Sequence, residues 1–189
     1  MPDSLDGLRV ACLTANEGVE QVELTTPRDA LHDVDAVVTL IAPKAGDVQG
    51  FEHLDKGEVF TAEQAVADVS ADDFDALLLP GGVANPDALR MDEDAVRLIT
   101  DMWAAGKPIA AICHAPWTLV EAGIVAGRTL TSWPSLQTDV RNAGGQWVDE
   151  EVVVDAEGDA PLVTSRKPDD LPAFCNAMIS VFARPTVGA

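Results

Sequence analysis

Cys113 and His114 stand side by side in the run AAICHAPW, between a short apolar segment, Ile109–Ile112, and a segment of helical character, Ala115–Ala122. A strand that turns at once into a helix exposes its corner residue, which is how hydrolases present a serine on a nucleophile elbow. The corner also lies at a helix N-terminus, where backbone N–H groups and the dipole favour an anion. The spacing therefore predicts a nucleophilic Cys113 with a lowered pKa, partly thiolate at neutral pH. The His114 N–H is placed to serve an oxyanion site, and its ring is a candidate base. Gly81-Gly82 ends another apolar segment, Ala76–Leu79, and glycine permits backbone approaches that a Cβ would block. Gly82 N–H is the candidate second oxyanion donor, facing that of His114.

Other residues of the same types read differently. Cys12 and Cys175 fall in apolar core patterns and are expected to be buried, unreactive thiols. His32 and His53 stand among charged loop residues and are expected to face solvent. No C-x-x-C or H-x-x-x-H spacing occurs, so no metal site is expected, and no motif calls for a nucleotide or other cofactor. The three cysteines, an odd count behind an N-terminus (MPDSLDGLRV) with no export leader, argue against a disulfide framework and for a cytoplasmic protein.

Short apolar strands alternating with amphipathic helices position these loops. Strands are expected at Leu8–Leu13, Ala36–Ala42, Ala76–Leu79 and Ile109–Ile112, with shorter ones at Thr129–Thr131, Val152–Val154 and Leu162–Thr164. Residues 48–60 read as an edge hairpin turning at Lys56-Gly57. Helices are expected at Val19–Leu31, Asp94–Ala105, Ala115–Ala122 and Pro134–Asn142, with a loop carrying Asn16 and Gly18 before the first. Pro27 falls inside the first helix, so that helix should kink beside Glu23 or begin late. The last helix is the clearest: Leu171, Phe174, Cys175, Met178, Ile179 and Phe182 share one face. The pattern describes a mostly parallel sheet covered on both faces, which binds ligands beyond the carboxyl ends of its strands.

Composition narrows the partners. The 189 residues suit one domain, 1–189, and 47% apolar content with 23% charged residues is globular. No apolar run approaches the ~20 residues of a membrane span. Twelve basic against 32 acidic residues give a net charge of −20, which repels nucleic acid and anionic membranes.

The runs LTANEGVEQVELTTP, FDALLLPGG, AAICHAPW, TSWPSL and NAGGQWVDEEVVVD resemble the PfpI family, the intracellular-protease-like proteins of the superfamily that holds the parkinsonism-linked redox chaperone. The resemblance spans Leu8 to about Phe182 and implies a flavodoxin-like three-layer α/β sandwich, assembled as a dimer or larger homo-oligomer. It implies roles for particular residues. Cys113 matches the nucleophile, His114 its neighbour, and Glu23 the buried glutamate that hydrogen-bonds the thiolate. Glu20 matches a second glutamate of that loop, and Gly82 an oxyanion donor. Asp87 matches a glutamate that reaches a neighbouring subunit's histidine; here it is one methylene shorter, on a loop one residue longer. Trp117 replaces a polar residue and is expected to narrow the pocket.

A carboxylate beside a thiolate would raise the thiol pKa, so a Glu23 that assists Cys113 must be protonated and donate its hydrogen. Three functions follow from these residues. The first is a stress-protective glyoxalase or deglycase acting on small aldehydes or their glycated adducts. The second is a cysteine peptidase using Cys113, His114 and Asp87. The third is a redox sensor or chaperone in which Cys113 oxidises.

Overall fold

The computed structural model describes residues 4–158 and 160–184. Met1–Asp3, part of the end read as leaderless, lie outside that span. Strand β1 (Arg9–Leu13) starts the chain's core, followed by a short β2 (Glu17–Glu20) where a plain loop was expected. Helix α1 (Gln21–His32) then runs unbroken through Pro27. Pro27 is in its second turn, so the Glu23 carbonyl has no N–H four residues on. Then come β3 (Val37–Ala42), β4 (Gly46–Glu52), β5 (Asp55–Ala62), β6 (Gln64–Ala65) and β7 (Ala76–Leu79). After β7 stand α2 (Ala84–Leu89), α3 (Glu93–Ala104), β8 (Ile109–Ile112) and α4 (Pro116–Glu121). The remainder comprises β9 (Thr129–Leu130), α5 (Gln137–Asn142), β10 (Gln146–Trp147), β11 (Val152–Asp155), β12 (Leu162–Ser165) and α6 (Leu171–Phe182).

Seven strands form the central sheet in the order β11-β12-β8-β7-β1-β3-β6, all pairs parallel except β11 with β12. Its five central strands, taken in chain order, run 2-1-3-4-5, the flavodoxin-like arrangement whose switch point lies between β1 and β7. Alternate residues of β1 divide the core. Val10 and Cys12 pack with Leu24, Leu31, Phe174 and Met178 on the α1/α6 side. Ala11 and Leu13 pack with Leu98, Ile99 and Met102 on the α3/α4 side. Both faces are covered, which is why β7 and β8 are apolar at every position.

The hairpin departs from expectation in place and turn. It joins β2 in a separate three-stranded sheet, order β2-β4-β5, rather than extending an edge of the main sheet. Its register pairs Glu52 with Asp55, so His53-Leu54 is the two-residue turn and Lys56-Gly57 belongs to β5. His53 takes the left-handed first loop position with φ +60°. This places the hairpin tip over the carboxyl end of the sheet, within reach of Glu20, whose carboxylate accepts the His53 N–H at 3.1 Å.

Candidate active site

Three chain crossings at the carboxyl edge build the site. After β8 the Cys113 N–H donates to Ser165 O at 3.0 Å, extending the ladder with β12 by one more bond. The chain then turns with Cys113 at φ +63°, a left-handed conformation costly for a residue with a Cβ. Ala115 N–H closes the turn onto Ile112 O at 3.0 Å, and Pro116 starts α4 in the first turn, where its missing N–H costs nothing. The Cys113 carbonyl accepts the Trp133 N–H at 2.8 Å, tying the loop after β9 to the elbow.

Glu23 arrives from the first turn of α1 and is fully buried. Gly81 is what lets it and Cys113 meet. A Cβ at Gly81 would overlap the Glu23 carboxyl, the Cys113 Cβ and the Ile112 carbonyl at once. Gly81→Ala is therefore expected to lower both melting temperature and turnover, because the atoms it meets are backbone and active-site atoms that cannot give way. Gly82 follows at φ +92°, and a side chain there would strike the Glu20 amide.

A cavity of about 180 Å³ opens here, and Glu20, Glu23, Gly82, Cys113, His114 and Trp133 are part of its wall. Cys113 is 6% exposed, and its Sγ lies 3.2 Å from His114 Nδ1. The His114 ring stacks on Trp133 (centroids 5.6 Å apart, planes at 21°) and meets the edge of Trp117 at 5.3 Å. Burial depresses its pKa to about 4, so the imidazole is neutral at pH 7. Burial raises Glu23 to about 8, opposed by nearby Cys113 and by the Gly81 and Gly82 amides, and assisted by the charge of Glu20. Neither Glu23 oxygen has a partner of good hydrogen-bond geometry, so the carboxyl is held mostly by exclusion of water.

Opposing influences act on the thiolate expected at Cys113. Burial pushes the Cys113 thiol up, and an ionised Glu23 pushes it further, while the Gly82 and His114 amides pull it down. Helix α4, which begins just after the elbow, has only six residues. Burial thus favours the neutral thiol, the neutral imidazole and the protonated carboxyl.

Of the other residues singled out in the sequence, Glu20 lines the cavity with a carboxylate that anchors the hairpin tip. Asp87 lies exposed on α2, outside the cavity wall, and takes no part in the site within one chain. Trp117 does not narrow the pocket: it is absent from the wall and its Nε1 donates to Asp139 at 2.9 Å. Trp133 is the indole that walls the cavity. Cys12 and Cys175 are buried in the core, their thiols pushed up to about 12 and about 11. His53 is exposed, yet it and Leu54 form the rim of the cavity. Sequence reasoning missed Trp133, Leu54 and Asn85. Trp133 had one usable signal, because it follows a short strand at the same edge as the other loops. Among the described residues no cluster of histidine, cysteine and acidic side chains is arranged to hold a metal. No described helix is long and apolar enough to cross a membrane.

A flavodoxin-like sheet carrying a cysteine elbow opposite a buried glutamate defines a class of α/β proteins. Within that class the chain belongs to the DJ-1/PfpI family, whose model matches residues 8–181. It is 43% identical over 168 residues to protein/nucleic acid deglycase 2 of Escherichia coli, covering 88% of this chain and 92% of that one. It is 40% identical over 174 residues to a deglycase of Pyrococcus abyssi, covering 92% and 99% respectively. Among solved structures, Drosophila melanogaster DJ-1beta matches with a TM-score of 0.79 at 27% identity, over 94% of this chain and 92% of its own.

Proposed function

We propose that this protein is a stress-protective, cofactor-independent deglycase or glyoxalase-type enzyme acting on 2-oxoaldehydes or their adducts. The observation that carries this reading is the meeting of Cys113, His114 and the buried Glu23 in one small cavity. The named deglycases among its relatives support it. Cys113 sulfur adds to the aldehyde carbon as its proton passes to His114 or to ionised Glu23, giving a hemithioacetal. From an amine adduct, the same addition displaces the amine. A proton then leaves the carbon bearing sulfur and returns to the adjacent carbonyl carbon through an enediolate. The Gly82 and His114 amides hold its oxygen. Water cleaves the resulting thioester, releasing a 2-hydroxy acid and restoring the thiol. The net change is hydration, with no external oxidant or reductant.

The cavity favours such substrates by size and charge. At about 180 Å³ it is smaller than the sites that enclose drug-sized ligands. Its wall carries Glu20 and Glu23 and neither lysine nor arginine, which suits a neutral dicarbonyl rather than an anion. The same narrowness weighs against peptide cleavage. On this reading the enzyme works in the cytoplasm, where its three cysteines stay reduced. It works as a homo-oligomer, an arrangement supported by the exposed Leu54 and Val83 at the cavity rim. Sedimentation at micromolar concentration is expected to give at least a dimer, and a clean monomer would remove that part.

One panel tests the activity: methylglyoxal without glutathione, a methylglyoxal-modified thiol, and fluorogenic peptides, each with wild type and Cys113→Ala. The expected result is lactate formation by wild type only. Peptide cleavage without lactate would replace this reading with a peptidase.

A further inference from the structure

The peptide unit joining Gly81 to Gly82 faces two ways. In a planar trans peptide the C=O and N–H point in opposite directions. Gly82 lines the cavity beside Cys113 and Glu23, and the N–H of this unit lies on the side opposite the Gly81 carbonyl. The Gly81 carbonyl points the other way, where it accepts the Asn85 Nδ2 at 3.0 Å and the Glu20 N–H at 3.3 Å. Asn85 is fully buried. Its Nδ2 also donates to Pro80 O at 2.9 Å, and its Oδ1 accepts the Ala15 N–H at 2.6 Å. An amide that meets two carbonyls at one end and an N–H at the other has only one satisfactory orientation. It locks the loop after β7 to the loop after β1, across the switch point of the sheet.

We infer that Asn85 is a positioning residue for carbonyl chemistry: by holding the Gly81 carbonyl it aims the Gly82 N–H at the oxygen anion formed when Cys113 adds to a substrate. The inference rests on the carbonyl-addition reading above. Gly82 has φ +92°, and its amide makes no bond to another backbone carbonyl among the described residues. Its direction therefore depends on what grips the other side of the same peptide plane. Asn85 supplies one of the two grips and the Glu20 amide the other. Removing Asn85 loosens the donor without deleting it, so the loss should be smaller than the hundredfold or more that follows deletion of an oxyanion donor.

Asn85→Ala and Asn85→Asp test this. Asn85→Ala removes all three bonds. Asn85→Asp keeps an acceptor for Ala15 N–H but turns an oxygen toward the Pro80 and Gly81 carbonyls, and so separates the stapling role from the positioning role. In either folded variant kcat on methylglyoxal is expected to fall roughly tenfold with KM little changed. Alkylation of Cys113 by iodoacetamide at fixed alkaline pH, followed on the Cys113 peptide by mass spectrometry, should slow severalfold, because the Gly82 amide no longer steadies the thiolate. A folded Asn85→Asp with wild-type kcat and wild-type alkylation would overturn the inference and leave Asn85 a loop staple. Slowed alkylation in an enzyme whose wild type turns over no aldehyde would keep the positioning role and sink the functional reading instead.

Discussion

Cys113→Ala is expected to reduce aldehyde turnover at least ~1000-fold while leaving the fold intact, because the covalent adduct has no other sulfur from which to form. Cys12 and Cys175 are buried in the core and cannot substitute. A second comparison tests the elbow itself. Cys113 has φ +63°, and a non-glycine residue held in that region stores roughly 1–3 kcal/mol of strain. Alanine keeps the strain, whereas glycine relieves it. Cys113→Gly should therefore be more stable than Cys113→Ala by about 1 kcal/mol, or about 2–4 °C in melting temperature for a chain this size. Both variants should be inactive. Turnover surviving in Cys113→Ala would refute the nucleophile assignment, and equal stability of the two variants would mean that the elbow is unstrained.

Glu23→Gln should abolish turnover and change how stability depends on pH. Burial raises the Glu23 carboxyl from its ordinary 4.5 to about 8. Between those values the folded protein holds a proton that the unfolded chain has released. A group raised in the folded state contributes stability that is complete below the unfolded pKa and is lost as pH rises through the folded one. Wild type should therefore lose up to about 1.4 kcal/mol per pH unit from this group between pH 5 and 8. Glu23→Gln removes this slope, so the difference between the two denaturation series isolates it from the other acidic residues. If the slopes coincide, Glu23 is not a neutral buried carboxyl.

The same titration governs chemistry. With ionised Glu23 as the base, kcat/KM should rise with a midpoint near pH 8 and should not do so in Glu23→Gln. Glu23→Leu gives a sign test on the thiol. Well below pH 8 the wild-type carboxyl carries a proton that it can turn toward the sulfur as the thiolate forms, and its loss should slow alkylation of Cys113. Well above pH 8 it is a negative neighbour, and its loss should speed alkylation. A single sign across the whole range would show that the two groups do not titrate as a coupled pair.

Much of this molecule is readable from its residues, for local reasons. β7 and β8 lie under helices on both faces, so every position is apolar and the strands declare themselves. The face of α6 is legible because its burial recurs with the helical period. Cys113 stood out because strand, cysteine and helix are contiguous. The hairpin was found but not its turn, since Lys56-Gly57 has the better turn chemistry. Pairing of Glu52 with Asp55 instead forces His53 into the left-handed position. Asn85 gave no signal, because its three partners lie on two loops that only the sheet order brings together.

Periodicity, breakers and the AAICHAPW corner are enough to establish an α/β sheet with a cysteine at its carboxyl edge, because each depends on neighbours a few residues away. Family resemblance added Glu23, which no local spacing singles out. Tertiary structure alone decided how far the site is desolvated. Desolvation depends on what the whole fold packs around a group, and here it works against the helix N-terminus and favours the neutral forms of Cys113, Glu23 and His114. It also decided which tryptophan walls the cavity. Trp117 and Trp133 both pack on His114, but Trp133 is the one that reaches the cavity wall, tied there by a backbone bond from its own N–H to the Cys113 carbonyl.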